Sequence, residues 1–353
     1  MFAFGRKKSA RLGLDIGSTA IKLVELSQAR GTSFSAIHVE NYAIEPLPPN
    51  AVVEKKIANV QAVGATIRKA VARSGTKVKR AATALSGSAV MTKVIPMSAT
   101  LSDAEMEAQI QLESDQYIPY PIEEVNTDFG VLGPSDSGGN LVDVLLAASR
   151  RENVDDRVAA LEIGGLSAAI IDVEAYTMVS ACTLLSDAGM DRTVAIADIG
   201  AATTTLHVLH EGQTVYTREQ GFGGHQLIEE VQQHYGMDRD QALQQVIEDN
   251  LPDSYATEIL DPFKEALAQQ ISRALQFFYS TGTFNRVDRI VLAGGVAGTR
   301  GIGALLEERL GIPTAVANPF SRMSLSSKVG SAALNRDAPA MMIAAGLALR
   351  GFD

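Results

Sequence analysis

One pattern occurs twice in this chain, and it constrains the fold more than any other feature. Leu12–Leu26 reads L-G-L-D-I-G-S-T-A-I-K-L-V-E-L, and Ala195–Leu209 reads A-I-A-D-I-G-A-A-T-T-T-L-H-V-L. Each copy is an apolar strand, an Asp-Ile-Gly turn, small or hydroxyl residues, and a second apolar strand. Two such hairpins, far apart in sequence, can face each other across a cleft and hold one phosphate chain between them. The pair predicts a two-lobed nucleotide-binding protein; either copy alone would equally describe an ordinary β-hairpin.

The residue types suit that chemistry. Gly17 and Gly200 let the backbone approach a ligand closely, and successive backbone N–H groups in such turns form a concave nest for anionic oxygens. Ser18 and Thr19 on one side, with Ala201, Thr203 and Thr204 on the other, complete the two phosphate-binding turns, and their hydroxyls add donors. Asp15 and Asp198 stand at the strand ends, where carboxylate oxygens suit Mg²⁺ held through waters and phosphate. Lys22, on the outgoing strand, is placed to reach the β/γ-phosphates. Gly223 and Gly224, in the G-F-G-G run that opens at Gly221, are further phosphate-binding candidates.

A third element falls where such a cleft needs an adenine floor. Val287–Val296 reads V-D-R-I-V-L-A-G-G-V, a buried strand ending in Gly294-Gly295, followed by a helical stretch over Gly301–Leu310. Gly294, Gly295 and Val296 are the adenosine-binding candidates. A dinucleotide fingerprint is rejected: it needs G-x-G-x-x-G and an acidic residue about 20 positions on. Here the spacing is G-G-x-x-G, and the next strand candidate, Thr314–Ala317, runs into Asn318.

The chain has 353 residues, 46% of them apolar, enough for two cores. Its single cysteine, Cys182, sits in an apolar helical run and reads as a packed core residue. It offers neither a disulfide framework nor a thiolate metal site, and a reducing cytoplasm fits. No apolar run reaches the roughly 18 residues of a membrane span, and no signal-peptide core is present at the N-terminus. A net charge of −10 argues against nucleic acid as a partner. Met1–Arg11 carries Arg6, Lys7, Lys8 and Arg11 beside Phe2 and Phe4, which reads either as a weak interfacial anchor or as a solvated terminus.

Strands and helices alternate, as in an α/β protein. Apolar spacing predicts a helix over Val60–Ser74 and a strand over Ala81–Leu85. An inserted block follows: a strand at Val90–Ile95 and a helix from Ser102 to about Gln116, opened by a Ser102/Glu105 capping box. Pro119 and Pro121 stop that helix. Two strands, Val125–Leu132 and Leu141–Ala148, come next, then a helix presenting Val154, Val158 and Leu161. The Ile259–Tyr279 helix carries a stripe of Leu260, Phe263, Leu267, Ile271, Leu275 and Phe278, read as core packing. His207 and His210, three apart on a strand, cannot share a metal.

Three stretches outside the nucleotide motifs identify a family. They are L-S-G-S-A-V-M-T-K-V-I-P-M (Leu85–Met97), Q-I-Q-L-E-S-D-Q-Y-I-P-Y-P-I-E-E-V-N-T-D-F (Gln109–Phe129) and V-D-V-L-L-A-A-S-R-R-E-N-V-D-D-R-V-A-A-L-E (Val142–Glu162). Asp172–Ala175 (D-V-E-A) also looks like that family's interdomain connection. Over essentially the whole chain the sequence resembles the PilM family, cytoplasmic actin-like proteins of type IV pilus assembly within the actin/Hsp70/sugar-kinase superfamily. The more distant cell-division family FtsA is similar in layout.

The resemblance implies an actin-like two-lobed ATPase fold, with ribonuclease-H-like subdomains and an FtsA-type 1C insert. The expected division is 1–80 with 166–190 as subdomain 1A, and 81–165 as 1C. Residues 191–222 with 288–338 form 2A, 223–287 form 2B, and 339–353 are a helix crossing back to 1A. The resemblance also implies Mg–ATP between the lobes. Glu174 is the candidate to orient an attacking water and Asp198 to hold the metal's water shell; a carboxylate that caps the following helix is the competing reading of Glu174, and Asp172 is the alternative acid. Many relatives carry Ala-Glu-x-x-Lys where this chain has Ala242-Leu243-Gln244-Gln245-Val246, so ribose and base contacts are expected to be thinner and hydrolysis slow at most.

The partner implied is the cytoplasmic N-terminal tail of the membrane protein PilN, held near subdomains 1A and 1C. Other pilus platform and motor proteins, peripheral inner-membrane association and self-association accompany that role. Two alternatives stand beside it. An FtsA-like self-polymerising protein would need the C-terminal membrane helix not found here, and a small-molecule kinase would need an acceptor pocket with its own base.

Overall fold

The computed structural model describes residues 12–28, 37–136, 138–185, 192–282 and 284–352. The basic Met1–Arg11 segment lies outside the described residues.

The first lobe opens with β1 (Leu12–Ile16), β2 (Ala20–Gln28) and β3 (Ile37–Pro46), a small hairpin of β4 (Val52–Val53) and β5 (Lys56–Ile57), then α1 (Val60–Ser74) and β6 (Arg80–Leu85). After β7 (Val90–Ser98) come α2 (Asp103–Leu112), α3 (Ser114–Tyr117), β8 (Val125–Pro134) and β9 (Leu141–Arg150). The lobe closes with α4 (Arg151–Ile163), β10 (Ser167–Val173) and α5 (Glu174–Cys182). The second lobe has β11 (Thr193–Ile199), β12 (Thr204–His210), β13 (Gln213–Gln220), α6 (Gly224–Tyr235), α7 (Arg239–Ile247) and α8 (Asp261–Ser280). It continues through β14 (Arg289–Ala293), α9 (Ile302–Leu310) and β15 (Thr314–Val316); β16 (Ser324–Leu325), α10 (Ser331–Asp337) and α11 (Met342–Leu349) end the chain.

The two sheets repeat one plan. The first runs β10-β6-β1-β2-β3-β16 and the second β13-β12-β11-β14-β15. In each, three antiparallel meander strands are followed by two strands parallel to the first. The duplication first visible at the Asp-Ile-Gly turns therefore extends to whole sheets. The α8 stripe packs on β11, β12 and β14 as its spacing predicts, with Leu267, Ile271, Leu275 and Phe278 buried among Ala195, Leu206, Val208 and Leu292.

The inserted block is a separate three-stranded sheet, β7-β9-β8, with its own core of Ile95, Met97, Met106, Ile110, Val144 and Leu146. The capping box that opens α2 is present, with Ser102 N donating to Glu105 at 2.8 Å. The expected single helix is broken at Glu113 into α2 and α3. The insert is also shorter than the expected 81–165: β6 pairs with β1 and β10, and α4 packs on α1. The fully buried residues of α4 are Arg157, Ala160 and Leu161, while Val154 and Val158 are only half-buried. The two helices meet where a Cβ on Gly64 would come 2.5 Å from the Ile163 side chain.

The return to the first lobe begins before residue 339. β16 pairs in parallel with β3, and Phe320, Val329 and Leu334 are buried with Val24, Leu26 and Val39. Two helices, α5 and α11, then fill the space between the sheets. Met178, Ala181 and Cys182 of α5 and Met342, Ile343 and Leu347 of α11 are buried with Val194, Ile196 and Val291 of the second sheet. Cys182 is a core residue, 3% exposed, its thiol pushed up to about 12 by burial.

Candidate functional site

The site grows from the two turns. Gly17 N–H donates to the Ala20 carbonyl at 3.1 Å and Gly200 N–H to the Thr203 carbonyl at 2.9 Å, the same closure in both copies. The strand registers match as well, with Ile16 opposite Ile21 and Ile199 opposite Thr204. Ser18 is half-buried in the first turn, and Thr19 is exposed at its tip.

On the second lobe the predicted residues converge. Gly224 N–H donates to Gly200 O at 3.0 Å, and His225 N–H to Ala201 O at 2.7 Å, so α6 starts against the second Asp-Ile-Gly turn. A Cβ on Gly223 would lie 2.5 Å from Gly200 O, and one on Gly224 2.9 Å from Val296 Cγ2. Val296 N–H donates to Ile199 O at 3.1 Å. Gly294 has φ +90, and a Cβ there would sit 2.6 Å from Asp198 Oδ1. Thus Asp198, Gly200, Ala201, Gly223, Gly224, Gly294 and Val296 form one contiguous surface, with Gly295 exposed at its edge. Thr203 is half-buried in its turn, whereas Thr204 is buried, and its hydroxyl donates to Phe222 O at 2.7 Å. That hydroxyl fixes the loop carrying Gly223 instead of facing the cleft.

Two lysines and four carboxylates meet where the lobes face each other. Asp15 is buried and lies directly opposite Lys22 in the β1–β2 register, with Lys22 Nζ donating to its Oδ2 at 2.8 Å. Burial opposes the Lys22 charge, but Asp15, Asp198 and Glu174 outweigh it and raise its pKa. Across the cleft, Asp198, Thr205 and Glu219 form one cross-strand row on β11, β12 and β13. Burial pushes Asp198 up to about 6, against the opposing pull of Lys55 and Lys22.

Glu174 begins α5 and does not cap it; its Oε2 accepts from Lys55 Nζ at 3.0 Å. The alternative acid, Asp172, is committed elsewhere, accepting from Val173 N–H and pairing with Arg350 at 3.0 Å.

Lys55 itself was not among the sequence candidates, because a lone lysine in a two-residue turn carries no motif. The same holds for Arg157, which is 3% exposed and donates to Ala84 O and Asn153 O from the floor of the first lobe. A third is Arg239 at the start of α7, whose Nη2 bonds His225 Nε2 at 2.8 Å. It supplies a cation on the face where the sequence run Ala242–Val246 lacks one.

This donor set fits a metal–polyphosphate complex better than a bare anion or a bare metal. Four carboxylates (Asp15, Glu174, Asp198, Glu219) against two ammonium groups leave an acidic excess that repels a free phosphate chain. Among the described residues no three His, Cys, Asp or Glu side chains are grouped to hold a metal ion alone. A divalent cation shared between a carboxylate, waters and phosphate oxygens satisfies both conditions.

Opposing titrations follow from two buried groups of the second sheet. His207, opposite Ile196 and Thr217, is 4% exposed, and burial holds its pKa down to about 4 from 6.5. Between those pH values the unfolded chain takes a proton that the native chain refuses, so stability falls as pH drops, by up to about 3 kcal/mol. Asp198, raised from 3.8 to about 6, does the reverse: the native chain takes the proton first, and stability grows as pH drops through 6. Asp198→Asn should therefore steepen the loss of Tm between pH 6.5 and 4 relative to the wild type, and His207→Gln should flatten it. Parallel melting curves for all three proteins would refute the buried charges.

Comparison with known proteins fixes the family. The family model for type IV pilus assembly protein PilM matches residues 13–352. The chain belongs to the PilM family. A solved chain from a PilM–PilN type IV pilus biogenesis complex is 28% identical, with a TM-score of 0.79 over 98% of this chain and 99% of that one. EutJ, the ethanolamine utilization protein of Carboxydothermus hydrogenoformans, is 16% identical with a TM-score of 0.57, covering 97% of this chain and 89% of its own. MreB5 of Spiroplasma citri, solved with ADP, is 12% identical with a TM-score of 0.50, covering 97% and 95%. The fold of this PilM-family chain is the actin-like one that the family resemblance implied. No helix among the described residues is long and apolar enough to cross a membrane.

Proposed function

We propose that the chain is a nucleotide-responsive scaffold of type IV pilus assembly. It binds Mg–ATP between its two sheets and the cytoplasmic N-terminal tail of PilN on its first lobe, at the inner face of the inner membrane. The observation that carries this reading is the near-complete coverage, at 28% identity, of a chain taken from a PilM–PilN complex. The inserted sheet, read as subdomain 1C, supports the peptide role: β7 and β8 are its outer strands, and Val94, Val131 and Leu132 are exposed on them. An extended tail can add to such an edge or lie in the groove beside it.

In this reading Gly17, Ser18, Thr19, Lys22, Gly200, Ala201, Thr203, Gly223 and Gly224 surround the phosphates, and Gly294, Gly295 and Val296 floor the adenosine. Asp15 and Asp198 hold the Mg²⁺ waters, and Glu174 and Asp198 are placed to orient a water for slow hydrolysis. ATP then biases the lobes only as far as it binds one arrangement more tightly, and its effect on the tail is reciprocal.

The test is a calorimetric titration of the protein with the PilN tail peptide, alone and with saturating Mg–ATP, repeated on Asp198→Ala. Binding in the wild type, an affinity shifted by Mg–ATP, and a shift lost in the variant are expected. Absence of peptide binding in both conditions would remove the scaffold role. Unchanged affinity despite confirmed nucleotide occupancy would remove the coupling.

A further inference from the structure

Lys55 occupies an unusual place. It is the second residue of the turn between β4 and β5, with Glu54 at φ 48 and Lys55 at φ 61. Tight turns of this hand normally carry Asn or Gly, because other residues are strained there. Strain retained at a turn marks a side chain that the surroundings hold in place. Here Arg157 does the holding: its Nη2 donates to Lys55 O at 3.4 Å, while its other nitrogens grip Ala84 O and Asn153 O.

The side chain thus anchored crosses between the lobes. Lys55 Nζ lies 3.0 Å from Glu174 Oε2, at the first-lobe end of α5, and 2.9 Å from Glu219 Oε2, on β13 of the second sheet. Its side chain is only 16% exposed. Glu219 stands in the same cross-strand row as Asp198, beside the phosphate turn of the second lobe. One ammonium group therefore ties the first-lobe hairpin to the second-lobe sheet at the cleft where the phosphate chain is expected.

We propose that Lys55 is a switch residue, an interlobe latch that bridges Glu174 and Glu219 until it exchanges Glu219 for the terminal phosphate of a bound nucleoside triphosphate. This rests on the nucleotide reading given above. A phosphate oxygen competes with a carboxylate for the same ammonium, and charge-assisted bonds of both kinds are strong. A diphosphate ends one phosphate short and leaves the latch closed. Release of Glu219 frees β13 from the β4–β5 hairpin, so the relation between the lobes depends on the third phosphate. Arg157 keeps the hairpin on the first lobe throughout.

The experiment compares wild type, Glu219→Gln and Lys55→Met in calorimetric titrations with Mg–ADP and Mg–AMPPNP. Hydrogen exchange of residues 52–57 and 213–220 is followed in the nucleotide-free proteins. The latch predicts faster exchange of both segments in nucleotide-free Glu219→Gln. It also predicts about threefold to tenfold tighter Mg–AMPPNP binding in that variant, since the competent state no longer has to break the bridge, with Mg–ADP unchanged. Lys55→Met should lose about tenfold or more for Mg–AMPPNP alone. Glu219→Gln changes one atom of a half-exposed side chain, so it remains informative if Lys55→Met fails to fold.

If the wild type binds both nucleotides while Glu219→Gln alters neither their affinity ratio nor the exchange, the latch is overturned and the nucleotide reading stands. Weaker Mg–AMPPNP binding in Glu219→Gln would also overturn it, because Glu219 would then position Lys55 instead of competing for it. A wild type that binds neither nucleotide overturns both.

Discussion

Gly346→Val is expected to lose at least about 4 kcal/mol of stability, a large part of the total for a folded chain. Gly346 sits in the middle of α11, where a Cβ would overlap the Thr177 carbonyl oxygen of α5 and lie 2.9 Å from its Cγ2. On the other side of the same helix, a Cβ on Gly13 of β1 would overlap the Ala344 carbonyl oxygen. α11 is therefore pressed between a strand and a helix through two glycines. Backbone atoms cannot rotate away as side chains can, so a valine must push α5 and α11 apart. That movement would open the layer holding Met178, Ala181, Met342 and Leu347 against the second sheet. Thermal and denaturant unfolding would measure the loss. A Tm within a few degrees of the wild type would show that the two helices are not in this contact.

Two adjacent glycines should differ sharply in what their substitution does to stability. Gly294→Ala places a Cβ 2.6 Å from Asp198 Oδ1, at a residue with φ +90. Strain at such a residue costs about 1–3 kcal/mol, and Asp198 has to shift from its position before the second Asp-Ile-Gly turn. Both stability and Mg–ATP binding should fall, the latter by about tenfold or more. Gly295 is exposed and has no atom of the described residues within 4 Å of a built Cβ. Gly295→Ala should therefore leave the Tm nearly unchanged. If adenosine lies against this backbone, the same methyl group weakens Mg–ATP binding without touching the fold. Unchanged affinity in Gly295→Ala would place the base elsewhere, whereas unchanged stability in Gly294→Ala would contradict the packing of this loop on Asp198.

Much of the architecture was legible because it is written in local patterns. The α1 limits, Val60–Ser74, follow from apolar spacing, and the fold adds an Asn59 cap at one end and Gly75 at the other. The Ser102/Glu105 box marks the start of α2, and the α8 stripe names its buried face. Other features were hidden because they depend on partners distant in sequence. The strand over 80–85 reads the same whether it belongs to the insert or to the first sheet; only its pairing with β1 and β10 assigns it. The half-buried Val154 and fully buried Arg157 of α4 differ by a rotation of the helix, whose close packing on α1 runs through Gly64 and Gly164. In the same way, the Thr204 hydroxyl was available to a phosphate in the sequence and is engaged by Phe222 O in the fold.

The candidate site divides along the same line. The sequence alone determined the two Asp-Ile-Gly turns, their acidic strand ends and the glycine pair after β14, because a turn is carried by consecutive residues and its pattern repeats when the turn repeats. It also determined the family, through long stretches that no local rule demands. Only the tertiary structure brought Lys55, Glu174 and Glu219 to one point and set Arg157 beneath them. These residues come from a hairpin turn, two helices and an edge strand, and each is unremarkable in its own segment. Ion pairs between segments depend on where the sheets and connecting helices place the backbones, and that placement follows from burying α5 and α11 between the two sheets.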